Sequence, residues 1–358
     1  MKKIAFFCYD QQMGGIQKSL INLLDNLDYQ KYEVDLYLFD NKNPFFVNVI
    51  NKHVNVIYLK MGIYHKALNC LPFNLINKIF KLKVLDKEYD CAIDFDSYQA
   101  LTAMGTLQVK AKKRVMWIHN DVYLKYHSEF KYRIYHISMK KKYQYFDTFV
   151  GVSDGVIGPF KALNGSNNPQ YMVIPNYIDT KEIEAKSKLK TDIKVNKKTY
   201  NLVTVGRLTY QKGFDILINE FKKLLDKSED KLYHLYFIGD GEERKPLENL
   251  VNKLKLSDYV TFLGRLTNPY NVMSKMDGFV LTSRYEGQGM VILEAKALGL
   301  DIFITNHLTQ YVSDVKGYED IKEGILKAKK HPHQFNYLKD YNNKIMKDID
   351  RLFTDEEE

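Results

Sequence analysis

The sequence predicts an α/β fold with two doubly wound domains, each built on a parallel sheet. Short apolar runs alternate with helical patterns along almost all of the 358 residues, as is typical of strands joined by helical crossovers. The alternation stops once, at the polar, lysine-rich stretch 180–199, and then starts again. A chain of this length also exceeds the ~100–150 residues of an ordinary single core. We therefore expect two sheets.

The domain boundaries follow from this interruption. We expect an N-terminal Rossmann-like domain over 1–179, a linker over 180–199 and a C-terminal Rossmann-like domain over 200–335. The residues 336–358 have a helical pattern, and packing back on the N-terminal domain is one arrangement open to them.

The strands are predicted from runs of apolar and β-branched residues. In the first half these are KIAFFCY, EVDLYLF, VNVIYL, CAIDF, RVMWIH and TFVGVS, and the clearest helix is IQKSLINLLDNL. In the second half they are NLVTVGRL, HLYFIGD, YVTFLG, GFVLTS and DIFIT. Open parallel sheets bind ligands beyond the carboxyl ends of their strands. The loops after these strands are therefore the candidate sites.

Composition indicates a soluble, reduced, cytosolic protein with an anionic partner. The chain is 45% hydrophobic and 27% charged, with a net charge of +9, and no apolar run approaches the ~20 residues of a membrane span. The three cysteines, Cys8, Cys70 and Cys91, lack metal-ligand spacing. The charge fits nucleic acid, an anionic membrane or a phosphorylated ligand, and charge alone does not choose among them.

Two loops offer groups for phosphate. Gly14 and Gly15 lie where the first strand turns into the first helix, so the backbone can approach a phosphate at the helix N-terminus. In VGRLTYQKG, Arg207 and Lys212 follow Gly206 and could grip a diphosphate, the arginine as a fork and the lysine as a point charge. A plain tight turn and a solvated basic loop are the alternatives.

Two further loops lie in the second half. Gly239 belongs to a Gly-Asp-Gly turn, for which a tight strand-to-helix connection is the simpler interpretation. In SRYEGQGMVILEA, Glu286 lies in the loop and Glu294 about one turn inside a helix that begins near Met290. Carboxylates there can accept hydrogen bonds from hydroxyls. Backbone N–H groups at the helix start favour an anion, and they belong to Gly289, Met290 and Val291.

Taken in order, these motifs resemble family 4 of the retaining glycosyltransferases. The pattern consists of the first Gly-Gly loop, G-R-L…K-G, G-D-G and E-G-x6-E-A, with WIHND, GVSDGV and IPNYIDT between them, over roughly residues 3–305. The resemblance implies the GT-B fold, in which two Rossmann-like domains face each other across a cleft.

The resemblance also implies a role for each matching residue. Arg207 and Lys212 match the pair that binds the donor diphosphate, and Glu286 the acid near the donor sugar. Glu294 matches the acid on the ribose hydroxyls. Gly15 matches the loop glycine that faces the phosphates. His119, at the end of RVMWIH, matches the histidine near the transferred sugar, where it acts by hydrogen bonding.

The sequence departs from the family pattern at two places near the expected donor sugar. Asp301 stands where the family usually has proline. The glycine-rich loop expected after the next strand is here TNHLTQYVSD, which removes backbone donors near the donor sugar.

The implied activity is a metal-independent transfer, with retention, from a nucleotide sugar. We expect a UDP-linked donor, a saccharide or lipid-linked acceptor in bacterial cell-surface polysaccharide synthesis, no cofactor and no nucleic-acid partner. Asp94-Phe95-Asp96 has D-x-D spacing but lies in the first half, so a metal role there is disfavoured. A sugar-nucleotide epimerase on the same fold and a non-catalytic sugar-nucleotide or membrane-binding protein remain alternatives.

One stretch indicates a membrane surface. Residues 122–146 interleave tyrosines with lysines and Arg133, as expected of a helix that meets anionic lipid. A solvated polar helix is the alternative. With lipid contact, the protein would be cytoplasmic and peripheral on the inner face of the membrane.

Overall fold

The computed structural model describes residues 1–9, 14–39, 50–59, 73–79, 87–128, 133, 140–164, 169–228, 232–312 and 314–354. They form two compact units, one of Met1–Tyr177 with Asp340–Glu358 and the other of Ile178–Lys339. Cys70 lies outside the described residues, and Cys8 and Cys91 are buried and form no disulfide within the part of the chain that is described.

The first unit contains a seven-stranded sheet whose described pairings are all parallel. Its strands are β1 (Lys2–Cys8), β2 (Tyr32–Leu38), β3 (Val54–Tyr58), β4 (Glu88–Asp94), β5 (Lys110–Ile118), β6 (Thr148–Gly151) and β7 (Gln170–Val173). The order is β3-β2-β1-β4-β5-β6-β7. Six of these strands are predicted from the sequence, and β7 is not, because QYMV is short and only half-buried.

Helices cover the sheet of the first unit. They are α1 (Gly15–Asn26), α2 (Phe73–Ile79), α3 (Ala100–Gln108), α4 (Val122–Ser128) and α5 (Asp154–Asn164). The buried residues of α1 include Leu20, Leu23 and Leu24, which recur with the predicted helical period.

The stretch 122–146 differs from the predicted continuous surface helix. Its described part consists of α4, Arg133 and a 3₁₀ turn over Lys140–Tyr145, and the rest lies outside the described residues. Lys142 and Tyr143 are buried. The Tyr143 ring packs against Phe160, with 5.0 Å between centroids, and Lys142 Nζ donates to the backbone oxygen of Ser97. Lys142 is therefore not available to a lipid surface.

The second unit contains a six-stranded sheet with parallel pairings. Its strands are β8 (Tyr200–Val205), β9 (Tyr233–Ile238), β10 (Val260–Gly264), β11 (Gly278–Leu281), β12 (Asp301–Thr305) and β13 (Gly317–Tyr318), in the order β10-β9-β8-β11-β12-β13. Its helices are α6 (Thr180–Ser187), α7 (Phe214–Lys227), α8 (Arg244–Lys253), α9 (Tyr270–Met273), α10 (Met290–Ala297) and α11 (Ile321–Lys327). The sequence predicts each of these six strands except β13, which has only two residues.

The predicted linker 180–199 begins as a helix of the second unit. Asp179 caps α6 by accepting a hydrogen bond from the Glu182 N–H at 2.9 Å, and Ile183 is buried. Asn268 Nδ2 donates to the Lys186 backbone oxygen at 2.9 Å. Composition hides this helix because half of its eight residues are lysine or glutamate, whereas Asp-x-x-Glu at its start is a capping signal.

The last helix, α12 (Lys339–Thr354), packs within the first unit from Asp340 onward. The Phe353 ring lies 5.2 Å from the Tyr32 ring and 6.3 Å from the Phe6 ring, between centroids. Tyr32 Oη donates to Asp350 at 2.6 Å. The chain therefore returns to β1 and β2 after the second unit is complete.

Candidate functional site

The loops that follow β8 and β11 meet in the second unit. These strands are parallel neighbours, so their carboxyl ends lie at the same edge of the sheet. Lys212, from the first loop, places Nζ 2.7 Å from Oε1 of Glu286, from the second. The structure thus brings together Lys212, which is predicted to bind the diphosphate, and Glu286, which is predicted to face the donor sugar. The two residues are 74 positions apart in the chain.

Glu286 is buried and held by one further hydrogen bond. It is 5% exposed, and the Ser283 hydroxyl donates to Oε1 at 2.5 Å. His307 Nε2 lies 2.8 Å from the Ser283 backbone oxygen. The unusual segment TNHLTQYVSD therefore supports the acid-bearing loop through His307.

Three glycines allow these loops to pack backbone against backbone. A Cβ on Gly239 would lie 1.9 Å from the Gly206 oxygen, and one on Gly213 2.3 Å from the Thr282 oxygen. Gly213 and Gly239 also have positive φ angles, of 60° and 138°, which favour glycine. The Lys212 side chain covers Gly206, since a Cβ there would lie 3.0 Å from Lys212 Cε. Close packing thus explains Gly206 and Gly239 without a ligand.

Arg207 is the exposed cation of this loop. It follows Gly206 directly, and within the described residues its guanidinium makes no ion pair or hydrogen bond. Glu286 accepts one of the three N–H donors of Lys212, and the guanidinium of Arg207 is free to meet an anion.

Glu294 lies one turn inside α10, which begins at Met290 as predicted. Gly289 precedes it with a φ of 66°, and Met290 and Val291 are half-buried. Glu294 is 7% exposed, and Tyr270 Oη donates to its Oε1 at 2.9 Å. The carboxylate is therefore ordered by a tyrosine that the sequence did not indicate.

The remaining predicted residues lie in the first unit. Gly14 precedes α1 with an extended backbone, and Gly15 is exposed with open space where a Cβ would be. His119 follows β5. Burial lowers the pKa of His119 to about 3, so the imidazole is neutral near pH 7. Its Nε2 is buried and has no hydrogen-bond partner among the described residues.

Asp94, the first acid of Asp94-Phe95-Asp96, is fully buried. Burial raises its pKa, and the nearby Lys142 opposes that shift. Within the described residues no group of three or more His, Cys, Asp or Glu side chains is placed to hold a metal ion.

Asp301 uses contacts that proline could not make. Its backbone N–H donates to the Asp277 oxygen at 3.2 Å, and its carboxylate accepts from Tyr200 Oη at 2.5 Å. This departure from the resembled family therefore fixes the start of β12.

Residues 185–346, which contain the Lys212–Glu286 pair, match the family model described as Glycosyl transferases group 1. This part of the chain is therefore similar to group 1 glycosyltransferases. An uncharacterized glycosyltransferase of Haemophilus influenzae is 27% identical over 86% of this chain and 81% of its own. The O-antigen biosynthesis glycosyltransferase WclY of Escherichia coli is 38% identical over 28% of this chain and 27% of its own.

The fold matches glycosyltransferase structures along nearly the whole chain. Anabaena HepE, solved in complex with UDP and glucose, has a TM-score of 0.68 and 18% identity, and the match covers 98% of this chain and 100% of that one. The predicted resemblance to GT-B glycosyltransferases and the two Rossmann-like domains are therefore confirmed. Membership of family 4 stays a prediction. Among the described helices, none combines the length and apolar character that a bilayer crossing requires.

Proposed function

We propose that this glycosyltransferase moves a sugar, with retention, from a UDP-linked donor to a saccharide or lipid-linked acceptor in cell-surface polysaccharide synthesis. The observation that carries the proposal is the Lys212–Glu286 pair at 2.7 Å, with the free Arg207 on the same loop. One site thus presents cations for a diphosphate and an acid for sugar hydroxyls.

The chemistry needs charge stabilisation more than a protein nucleophile. As the bond between the sugar and the diphosphate breaks, negative charge grows on the leaving nucleotide, and Arg207 and Lys212 stabilise it without a metal ion. Glu286 accepts from a hydroxyl of the donor sugar, and Glu294, one turn into α10, from the ribose. In this proposal the nucleotide sugar also contacts the backbone of seven residues, which are Gly14, Gly15, Gly206, Gly239, Gly289, Met290 and Val291.

His119 is proposed to contact the transferred sugar as a neutral imidazole. Its lowered pKa and its unpaired Nε2 support this role, because a neutral ring offers one donor and one acceptor.

The choice of donor and acceptor rests on similar proteins. HepE was solved with UDP and glucose, which favours UDP as the nucleotide. WclY is an O-antigen biosynthesis enzyme, which favours a growing surface saccharide as the acceptor.

We also propose adsorption to the anionic inner face of a membrane. The exposed residues of 122–146 that support it are Tyr123, Leu124, Arg133, Lys140, Lys141 and Tyr145. Exposed tyrosines and lysines fit the headgroup region, where a lipid-linked acceptor would be found.

The test begins with a thermal-shift panel of UDP-, GDP-, ADP- and dTDP-sugars, because a bound ligand raises the melting temperature. The best donor is then incubated with and without bacterial lipid extract as acceptor. We expect a UDP-sugar to stabilise the protein and extract-dependent UDP release. Interconversion of the sugar without acceptor would support the epimerase instead, and binding without turnover of any donor would support the non-catalytic protein.

A further inference from the structure

Arg284 connects the two loops that carry Lys212 and Glu286. Its Nη1 donates to the Tyr210 backbone oxygen at 2.7 Å, and its guanidinium lies over the Tyr210 ring, 3.9 Å from the centroid. Its backbone N–H donates to the Gln211 oxygen at 2.8 Å. The residue after it is tied as well, since Gln211 Nε2 donates to the Tyr285 oxygen at 3.1 Å.

Both terminal nitrogens of the guanidinium donate to protein partners. Nη1 and Nη2 meet the two carboxylate oxygens of Asp215 at 2.9 and 2.7 Å, the forked geometry that gives arginine–carboxylate pairs their strength. The pair lowers the pKa of Asp215. Asp215 belongs to the first turn of α7, so Arg284 fastens both loops to a rigid helix.

This commitment separates Arg284 from Arg207. Arg207 is exposed and unpaired among the described residues, whereas both terminal nitrogens of Arg284 are paired with Asp215. Arg284 also lies two residues before Glu286, and Tyr210 two residues before Lys212. A shift of either anchor would move the cation or the acid at the site.

We propose that Arg284, with Asp215, is a positioning residue that sets the placement of Lys212 against the leaving diphosphate. This inference rests on the proposed function. Lysine cannot replace Arg284, because a single ammonium cannot form the forked pair and stack on Tyr210 at the same time. Misplacing a catalytic group by about 1 Å can cost ~100-fold in rate.

The test is a double-mutant cycle on UDP release from UDP-glucose and UDP-N-acetylglucosamine, with bacterial lipid extract as the acceptor. We expect Arg284→Ala to lower kcat ~10-fold or more in the wild-type background and less than ~2-fold in Lys212→Ala, because coupled residues are not additive. Arg284→Lys should restore the melting temperature but not kcat. A purely structural role would lower kcat by the same factor in both backgrounds, which would overturn the inference.

Two matched variants on α7 test the inference even where Arg284→Ala does not fold. Asp215→Asn removes the forked pair, whereas Asp226→Asn removes the pairing of Lys222 on the same helix. We expect only Asp215→Asn to lower kcat. Wild-type kcat in both Asp215→Asn and Arg284→Lys would also overturn the inference. Wild-type protein that released no UDP from either donor would instead contradict the proposed function.

Discussion

At the scale of the residue, Glu286 illustrates how a predicted ligand contact is prepared by its neighbours. The carboxylate is buried, yet Lys212 and Ser283 satisfy it. A buried charge that loses its partner is costly. Lys212 therefore neutralises Glu286, and in the proposed mechanism it also donates to the diphosphate.

Glu286→Gln tests the acid without removing its shape. The amide keeps the size of the side chain but not its charge, so it should hold Lys212 less firmly and accept less strongly from a sugar hydroxyl. We expect kcat to fall ~100-fold with the true donor. The control is Glu248→Gln, which removes an exposed carboxylate paired with Arg244 at 2.8 Å on α8. Equal turnover of Glu286→Gln and wild type would contradict the role of the acid.

His119 gives a prediction about pH. Its folded-state pKa, about 3, lies below the unfolded value, so between pH 6.5 and 3 the unfolded chain binds the extra proton. Stability must therefore fall as the pH falls through this window. We expect His119 to contribute a loss of about 1 to 2 kcal/mol between pH 7 and pH 5.

The measurement is urea unfolding of wild type and His119→Asn at pH 7 and pH 5. The loss in wild type should exceed the loss in His119→Asn, because the variant lacks this proton. The same pH dependence in both proteins would show that His119 is not the neutral, buried group described above.

At the scale of the element, the 3₁₀ turn over Lys140–Tyr145 has two kinds of lysine. Lys142 is 1% exposed and Asp94 and Asp96 lie near enough to raise its pKa, although burial lowers it more. Lys140 and Lys141 are exposed. The alternation of lysine and tyrosine in the sequence could not separate them, because the distinction arises from the contact of Lys142 with Ser97, 45 residues away in the chain.

Substitutions of these lysines should therefore affect either lipid binding or stability, depending on the position. The Lys140→Glu/Lys141→Glu variant should lose binding to anionic liposomes and keep its melting temperature. Lys142→Glu should unfold at lower temperature, since it places a second acid beside buried Asp94. Sedimentation with phosphatidylglycerol and with phosphatidylcholine vesicles measures the first effect. Undiminished binding of the double variant to the anionic vesicles would contradict the proposed membrane adsorption.

Other elements follow from local sequence to different degrees. The start of α10 at Met290 follows from Gly289 and the apolar run behind it. Helix α6 was missed because lysines and glutamates dominate its surface, although its cap was visible. For Lys212 and Glu286, the sequence predicts only that their loops lie at the same edge of the sheet. The 2.7 Å contact between them depends on the close packing of the loops at Gly206, Gly213 and Gly239.

At the scale of the whole molecule, the chain builds its first unit from two separate segments. Helix α12 follows the second unit in the chain and packs on β1 and β2 through Phe353 and Asp350. The sequence pattern predicted the helix, but packing partners more than 300 residues away leave no local signal.

Phe353→Ala tests this return of the chain. The ring is 2% exposed, and truncation of a buried phenylalanine costs about 3–5 kcal/mol. We expect a loss of that order in the free energy of unfolding of the first unit. Arg351→Ala, on the half-exposed side of α12, should cost far less. Equal unfolding curves for Phe353→Ala and wild type would show that α12 does not stabilise this unit.

The central claim, that the loops after β8 and β11 hold the nucleotide diphosphate of the donor, is tested most directly by calorimetric titration with UDP. Wild type, Arg207→Ala, Lys212→Ala and the helix control Lys222→Ala would be compared at one salt concentration. We predict that the first two variants bind UDP at least ~10-fold more weakly, the effect of losing a charge-assisted contact of about 1.4 kcal/mol or more, and that Lys222→Ala binds like wild type. UDP affinity that is unchanged in both Arg207→Ala and Lys212→Ala would contradict the account.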